Sequence, residues 1–295
     1  MANAREIQAR IKSIKQTQQI TGAMYMISSS KLTKAKEALA ASEPYFNALS
    51  GTIGNILCHA PDVESVFFRN PLADNDNRKK VGCLVITSDK GLAGAYNLNV
   101  IKKAEEVMSP NKADNYIMAV GETGRHYFAS KNMKMAKNFD YTPQNVSIHA
   151  ARDIMDTVVD LYQRKQLDEV YIVYTKMRNA MQCEAVAELI LPLAKLKLAQ
   201  MGKDIYPGEM EFHPNANAVI DSIVPNYIAG FIYGALVESF CSEQNARMTA
   251  MQSANNSAND MLHDLSVQYN RSRQAAITQE ITEVIGGAKA KKNKK

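Results

Sequence analysis

Cysteine, proline and glycine are all scarce in this chain of 295 residues. The four cysteines are Cys58, Cys83, Cys183 and Cys241. They form no CxxC pair, and none stands at metal-ligand spacing from a pair of histidines. This argues against a disulfide scaffold and a metal site, and it favours small buried or partly buried thiols in a reducing compartment. Nine prolines and fourteen glycines leave room for long uninterrupted helices.

Long apolar runs are absent as well. The longest, residues 227–237, has eleven residues and includes two glycines, whereas a membrane-spanning helix needs about 20 apolar residues. The N-terminal segment MANAREIQAR is charged and lacks the apolar core of a secretory signal. We therefore expect a soluble cytoplasmic chain without a membrane span of its own.

Charge is divided unevenly between the two ends of the chain. Residues 1–40 contain seven basic and two acidic side chains, whereas residues 217–288 contain three arginines, seven carboxylates and no lysine. The two ends are thus electrostatically complementary, which favours their pairing. Because aromatic residues do not cluster with the basic ones, we do not expect nucleic acid as a partner. A scaffold that binds nucleic acid through its lysine-rich tail, 289–295, stays an alternative.

Two proline-poor terminal segments carry apolar patterns with a spacing of three and four residues. The first pattern is Ile7, Ile11, Ile14, Gln18 and Thr21. The second is Met248, Met251, Asn255, Ala258, Leu262, Leu265 and Tyr269, resumed by Ile277, Ile281 and Val284. Segments of about 50 and 60 residues would form helices of roughly 75 and 90 Å. Since neither can bury its stripe alone, we predict an antiparallel coiled coil in which Asn255 lowers stability but fixes the register.

The middle of the chain alternates short β-prone runs with helical stretches. Strands are expected at 81–87, 116–121 and 170–175, and helices at 97–108, 123–130 and 150–164. This alternation is typical of a mostly parallel sheet covered by helices. Polar linkers are expected at 59–79 and 202–217. The predicted fold class is therefore α/β, with a long antiparallel coiled coil of the terminal helices and a central Rossmann-like α/β domain. The predicted segments are 1–58, 80–201, 218–288 and a basic tail, 289–295.

Catalytic and cofactor motifs are weak. Glycines follow two strands, at 91–94 and 121–124, but neither pair completes GxGxxG and the chain has no GxxxxGK[ST] phosphate loop. We interpret these glycines as turns from strand to helix. The five histidines stand in separate segments without a local nucleophile or carboxylate arrangement. We expect no catalytic residue, no metal and no cofactor, and an enzyme built on the α/β domain stays the alternative.

Three motifs carry a family resemblance. They are IKSIKQTQQITGAMYMISSSKLTKA near the N-terminus, ITSDKGLAGAYN in the centre, and SEQNARMTAMQSANNSANDML followed by YNRSRQAAITQEITEVIGGA. Together they resemble the γ subunit family of the bacterial rotary F-type ATP synthases, over essentially the whole chain. The resemblance implies a non-catalytic shaft inside a ring of α and β subunits, where the β subunits carry the catalytic sites. It also implies contacts with the ε subunit and the c-ring, at the cytoplasmic face of the inner membrane.

The resemblance also assigns roles to individual positions. Arg273 and Gln274 match a pair that hydrogen-bonds a catch loop of one β subunit. Neighbouring positions that match the family's coupling residues are Thr278, Glu280 and Glu283. Arg247 and Met24 match two facing regions where the terminal helices and β meet.

The base and the tail complete these assignments. Phe212 and His213 correspond to the part of the base that grips the c-ring and ε, although some family members have an acid at the position of His213. The tail 289–295 extends past the usual end of the family. Because five lysines cannot be buried unpaired, we expect it to emerge from the top of the ring or to be disordered.

Overall fold

The computed structural model describes residues 4–68, 80–108, 115–135, 141–143, 146–179, 182–202 and 211–292. The elements are α1 (Ala4–His59), β1 (Val81–Ile86), α2 (Tyr96–Val107), β2 (Tyr116–Val120), α3 (Glu122–Ser130), α4 (Ile148–Gln163), β3 (Glu169–Met177), β4 (Cys183–Leu191), α5 (Lys195–Met201) and α6 (Ala216–Lys292). They form two compact units. The coiled-coil unit comprises Met1–Ser28 and Met248–Lys295, and the α/β unit comprises Ser29–Arg247.

The coiled-coil unit pairs the first part of α1 with the last part of α6. The Thr21 hydroxyl donates a hydrogen bond to the Asn255 side-chain oxygen, and the Gln18 amide donates to the Asn259 side-chain oxygen at 2.7 Å. Residue numbers rise along α1 as they fall along α6, so the helices are antiparallel, as the sequence predicts. Seam residues such as Ile7 and Met251 are buried, while the residues between seam positions are mostly exposed.

The last part of α6 extends past the start of α1. The register of the two polar contacts places residue 4 opposite about residue 272, at an unchanged helical rise. Ser272 is half-buried, and every side chain from Arg273 to Ala288 is exposed. The prediction that Ile277, Ile281 and Val284 continue the seam against α1 is therefore wrong, because α1 begins too late to reach them. The backbone of α6 is helical through Lys292, and residues 293–295 lie outside the described part.

The α/β unit is built on a four-stranded sheet in the order β2-β1-β3-β4. β1 pairs in parallel with β2 and with β3, whereas β4 pairs antiparallel with β3. All six residues of β1 are buried, as expected for a central strand covered on both faces. The three predicted parallel strands are confirmed. β4 and α5 are additional elements that were not predicted, because the run CEAVAELIL of β4 shows no regular alternation of apolar and polar residues.

Two apolar clusters cover the two faces of the sheet. The larger includes Leu84 and Ile172 from the sheet, Ile154 from α4 and Val224 from α6. The smaller includes residues of α2 and α3, such as Val100 and Phe128. Both faces are thus closed by helices, as in doubly wound folds.

Both predicted linkers need correction. Val63 and Phe67 are buried in the larger cluster, and the Phe67 carbonyl accepts a hydrogen bond from the Leu193 amide at 2.7 Å. This part of 59–79 is therefore core, although Val63 and the three apolar residues 66–68 are too few to give a periodic signal. Residues 69–79 lie outside the described part. The second linker ends earlier than predicted, because α6 begins at Ala216 and includes Pro225.

One helix among the described residues, α6, is long and apolar enough by length and composition to cross a membrane. Core packing accounts for much of its apolar character. Ile220, Val224, Ile228 and Ile232 on this helix are fully buried in the larger cluster.

Within the α/β unit, α1 and α6 approach each other closely at Gly230. A Cβ atom at this position would lie 2.0 and 2.2 Å from two ring carbons of Phe46. The Phe46 ring in turn packs on Tyr233, with 6.0 Å between the ring centroids. Only glycine admits this contact without displacing the ring.

Candidate functional site

The end of α6 carries five of the predicted site residues on one exposed helical extension. Arg273, Gln274, Thr278, Glu280 and Glu283 are all exposed. At 3.6 residues per turn, Arg273, Glu280 and Glu283 share one side of the helix, while Gln274 and Thr278 lie on the adjacent side. Together they offer guanidinium and amide donors next to carboxylate acceptors, a set that can bind a polar loop of another protein.

The same extension carries an apolar stripe. Ile277, Ile281, Val284 and Ile285 are 46%, 54%, 72% and 52% exposed. They recur at spacings of four, three and one residues, so they line one strip of the helix. An apolar strip rimmed by polar residues is typical of a protein-protein contact. The sequence pattern identified three of these residues but assigned them to the wrong partner, a helix of the same chain.

Arg247 lies at the end of the α/β unit and is only 8% exposed. Its guanidinium donates to a Glu243 carboxylate oxygen at 2.6 Å, and to the carbonyl oxygens of Lys90 and Gly91 at 3.1 and 3.2 Å. These carbonyls belong to the turn after β1, in which Leu92 adopts a positive φ of 64°. The predicted partner-binding arginine is thus bound within its own chain.

Glu243 is more deeply buried than its partner, at 2% exposure. Burial raises the pKa of its carboxyl above the ordinary glutamate value, and the adjacent Arg247 guanidinium opposes that shift. Its second carboxylate oxygen is buried without a hydrogen-bond partner among the described residues.

Glu243 and Arg247 belong to a row of buried polar residues on α6 that sequence reasoning missed. The row consists of Ser239, Ser242, Glu243, Gln244, Asn245 and Arg247. The Ser242 hydroxyl donates to the Thr175 carbonyl at 3.1 Å, and Ser239 shares a 2.7 Å hydrogen bond with the Tyr96 hydroxyl. The only sequence feature that indicates this buried row is the number of polar residues within the long helical segment α6.

The remaining predicted residues lie in separate places. Met24 is half-buried on α1 in the coiled-coil unit, whereas Arg247 belongs to the α/β unit. Phe212 is half-buried against the larger apolar cluster, and His213 beside it is exposed. Two strongly exposed apolar side chains in the same unit, Val66 and Leu196, were not predicted.

The glycines after β1 and β2 do not form a phosphate cradle. The first backbone amides of α3 donate to groups of the segment after β1: Glu122 to the Asp89 carboxylate at 3.3 Å, Thr123 to the Ser88 carbonyl at 3.1 Å, and Gly124 to the Thr87 hydroxyl at 2.9 Å. A helix N-terminus binds phosphate through these same amides, and here the protein itself occupies them. Among the described residues, no group of three His, Cys, Asp or Glu side chains could hold a metal ion.

Comparison with known proteins gives consistent matches over nearly the full length. A family model described as ATP synthase matches residues 3–290. The chain is 44% identical over 294 residues to the ATP synthase gamma chain of Ruminiclostridium cellulolyticum, covering 98% of each chain. It is 43% identical over 298 residues to that of Acetivibrio thermocellus, covering 99% of this chain and 100% of the relative. It is 35% identical over 303 residues to the ATP synthase gamma chain, sodium ion specific, of Acetobacterium woodii, covering 98% of each.

Solved structures share the fold. One is the central stalk and c-ring structure of the Tetrahymena thermophila mitochondrial ATP synthase, with a TM-score of 0.59, 23% identity, and coverage of 80% of this chain and 99% of that chain. Another comes from the Euglena gracilis mitochondrial ATP synthase, with a TM-score of 0.64, 15% identity, and coverage of 97% and 94%. At these identities the likeness concerns the fold, including the paired terminal helices and the central sheet.

Proposed function

The chain belongs to the gamma chain family of the ATP synthases, and from this premise we propose that it is the central-stalk rotor subunit of a bacterial ATP synthase. In this role it couples rotation of the ion-driven c-ring to sequential conformational changes in three catalytic β subunits. The same coupling runs in reverse when ATP hydrolysis drives ion pumping. The observation that carries the proposal is the antiparallel coiled coil continued by an exposed helical extension of polar and apolar strips.

The physical requirement for such a part is asymmetry. Three chemically identical catalytic subunits differ in nucleotide affinity only if another body contacts each of them differently, because a partner shifts an equilibrium only by its differential interaction. A single helical shaft has no threefold symmetry, so each β subunit meets a different side of it. Turning the shaft exchanges these contacts in sequence and drives product release.

We propose that the chain itself is not catalytic and that the chemistry takes place on the β subunits. The amides that could bind phosphate at α3 are occupied by Thr87, Ser88 and Asp89. Titration calorimetry of the full chain with ATP tests this proposal. We expect no tight stoichiometric site, and a site filled at one ATP per chain would contradict it.

The exposed extension of α6 is the proposed contact with the catalytic ring. Arg273 and Gln274 would donate hydrogen bonds to a catch loop of one β subunit. Thr278, Glu280 and Glu283 would bind beside it, and the strip that includes Ile277 and Ile281 would run in an apolar bearing of the ring. Met24 and Arg247 are proposed to support the β contact lower on the shaft, Arg247 by positioning the turn after β1 to which it is bound.

The α/β unit is the proposed base. Phe212 and His213 would face the c-ring and ε, and the exposed side chain of His213 is compatible with such a contact. We propose that the chain associates peripherally with the cytoplasmic face of the bacterial inner membrane, because this is where a base in contact with the c-ring would lie.

A variant with Ala at Arg273 and Gln274 tests the ring contact in the reconstituted ATP synthase. ATP-driven proton or sodium pumping should fall more than the amount of assembled complex, because the lost hydrogen bonds serve coupling and both side chains are exposed. Arg271→Ala is the matched control, since Arg271 is exposed on the opposite side of the same helix from Arg273. Unchanged pumping by the double variant would contradict the assignment of this pair.

A further inference from the structure

The sheet topology defines a crevice at one end of the α/β unit. From β1 the chain crosses to β2 on one side, and it then returns to pair β3 on the other side of β1. Open α/β sheets bind ligands at this reversal of strand order, outside the carboxyl ends of the two central strands. In this chain the crevice lies beyond Ile86 and Met177, the last residues of β1 and β3.

Polar side chains of α6 occupy this crevice. Glu238 accepts a hydrogen bond from the Met177 amide at 3.2 Å, and the Ser242 hydroxyl donates to the Thr175 carbonyl near the end of β3. On the β1 side, Arg247 donates to the carbonyls of Lys90 and Gly91. The helix is therefore bonded to the chain after both central strands, in the position that a ligand takes in related folds.

These bonds differ in kind from the apolar contacts of the same helix. Apolar burial is non-directional and scales with the area removed from water, so it does not specify particular atom pairs between α6 and the sheet. Hydrogen bonds weaken steeply when the donor angle departs from linearity, so several of them around one crevice oppose rotation directly. Of the contacts between the sheet and α6, the hydrogen bonds around the crevice are therefore those that depend on the rotation angle of the helix through specific donor and acceptor atoms.

Glu243 fixes the orientation of the Arg247 guanidinium and thereby the geometry of its hydrogen bonds to the two carbonyls. It binds one guanidinium nitrogen at 2.6 Å and leaves the other to reach the two carbonyls. A buried ion pair contributes little net stability, because desolvation offsets the attraction, but it fixes one arrangement. The other charged groups that act on the Glu243 carboxyl are Asp89, from the turn after β1, and Lys31, from α1.

We propose that this group, the Glu243–Arg247 pair with the turn carbonyls of Lys90 and Gly91, is the torque-bearing joint between the sheet and α6. Glu243 is its positioning residue, which holds the guanidinium of Arg247 on the two carbonyls. The inference rests on the proposed rotor function, since torque that enters through the base must pass from the sheet into α6 before it reaches the catalytic ring.

Glu243→Gln in the reconstituted ATP synthase tests the joint, because it keeps the side-chain shape and removes the charge. The readout is the number of ions pumped per ATP hydrolysed against an imposed ion gradient. We expect this ratio to fall by about threefold to tenfold while hydrolysis is retained, the size of effect that mutations between coupled sites produce. A purely structural role would lower the melting temperature or the yield of complex without changing the ratio.

The control is Asp160→Asn on α4, which removes the acid of an exposed pair with Arg164 of the same helical spacing, 2.8 Å apart. The ratio should not change for this variant. An assembled Glu243→Gln complex with the wild-type ratio would overturn the inference. If Glu243→Gln does not assemble, Arg247→Lys decides. It keeps a positive charge beside Glu243 but replaces the guanidinium fork that reaches the Lys90 and Gly91 carbonyls by a single ammonium group. It should lower the ratio, whereas an unchanged ratio overturns the inference.

The two proposals fail in distinguishable ways. If the wild-type chain does not restore coupled pumping to a complex lacking its gamma chain, the rotor function itself is refuted. If the wild-type chain restores coupling and the joint variants restore it equally well, only the joint is refuted.

Discussion

Gly230 and Gly234 lie one turn apart on α6, and we expect alanine to stabilise the chain at position 234 but not at position 230. A Cβ atom at position 230 would lie 2.0 Å from the Phe46 ring. A Cβ at position 234 would have no described atom within 4 Å apart from its chain neighbours and the backbone of its own helix. The two variants share the same helix and the same substitution. Their difference therefore isolates the close approach of α1 and α6 in the α/β unit.

The magnitude follows from two terms. Replacing glycine by alanine inside a helix stabilises by about 0.8–1 kcal/mol through helix propensity, and both positions gain this term. At Gly230 the Phe46 ring must move, and it is already packed on Tyr233, so overpacking costs about 1–3 kcal/mol. We therefore expect Gly234→Ala to stabilise by about 1 kcal/mol and Gly230→Ala to be less stable than Gly234→Ala by about 1–3 kcal/mol.

Urea unfolding of the full chain, followed by circular dichroism, measures both free energies of unfolding. A double-mutant cycle with Phe46→Ala supplies the control, because removal of the ring should turn Gly230→Ala into a stabilising change. If Gly230→Ala proves as stable as Gly234→Ala with Phe46 in place, the close contact between the two helices is not as described.

Three further predictions concern packing, pH and the tail. Gly54→Ala should destabilise by about 3 kcal/mol, because its Cβ would lie 2.5 Å from the Gly202 amide nitrogen, a backbone atom that cannot rotate away; a neutral effect in urea unfolding would refute this. Burial raises the pKa of Glu238, so the folded chain retains a proton that the unfolded chain loses above about pH 4.3. The stability of the wild type relative to Glu238→Gln should thus fall as pH rises through that window, and urea unfolding across pH would contradict this if the relative stability rose. Truncation after Ala288 should leave ATP-driven pumping intact, and loss of coupling would contradict a dispensable tail.

The helices of the coiled coil and the strands could be predicted from the sequence because burial of an element gives a regular pattern of apolar residues. The seam of the coiled coil could be predicted from residues such as Ile7 and Met251, and Asn255 on this seam accepts a hydrogen bond from Thr21. That Asn255 fixes the register stays a prediction. The parallel strands could be predicted from continuous apolar runs, since both of their faces are covered.

Other parts of the fold show no periodic pattern of apolar residues in the sequence. β4, at the sheet edge, has two glutamates in an otherwise apolar run and shows no regular alternation of apolar and polar residues. Val63 and Phe67 belong to short apolar stretches within a polar segment. The stripe of Ile277, Ile281 and Val284 was assigned to the wrong partner for another reason. A periodic apolar pattern indicates that one side of a helix is covered, but it does not indicate which chain covers it. The buried polar row from Ser239 to Arg247 is recognisable only from three-dimensional contacts, because each of its residues is ordinary on an exposed helix.

Direct observation of rotation tests the central claim that this chain is a rotor. In a surface-immobilised ring of α and β subunits with this chain inserted, a bead attached through the exposed Cys58 of the α/β unit reports its motion. Addition of ATP should turn the bead in one direction, with three equal pauses per turn, one for each catalytic subunit. A bead that stays fixed relative to the ring while ATP is hydrolysed at the normal rate would contradict the account.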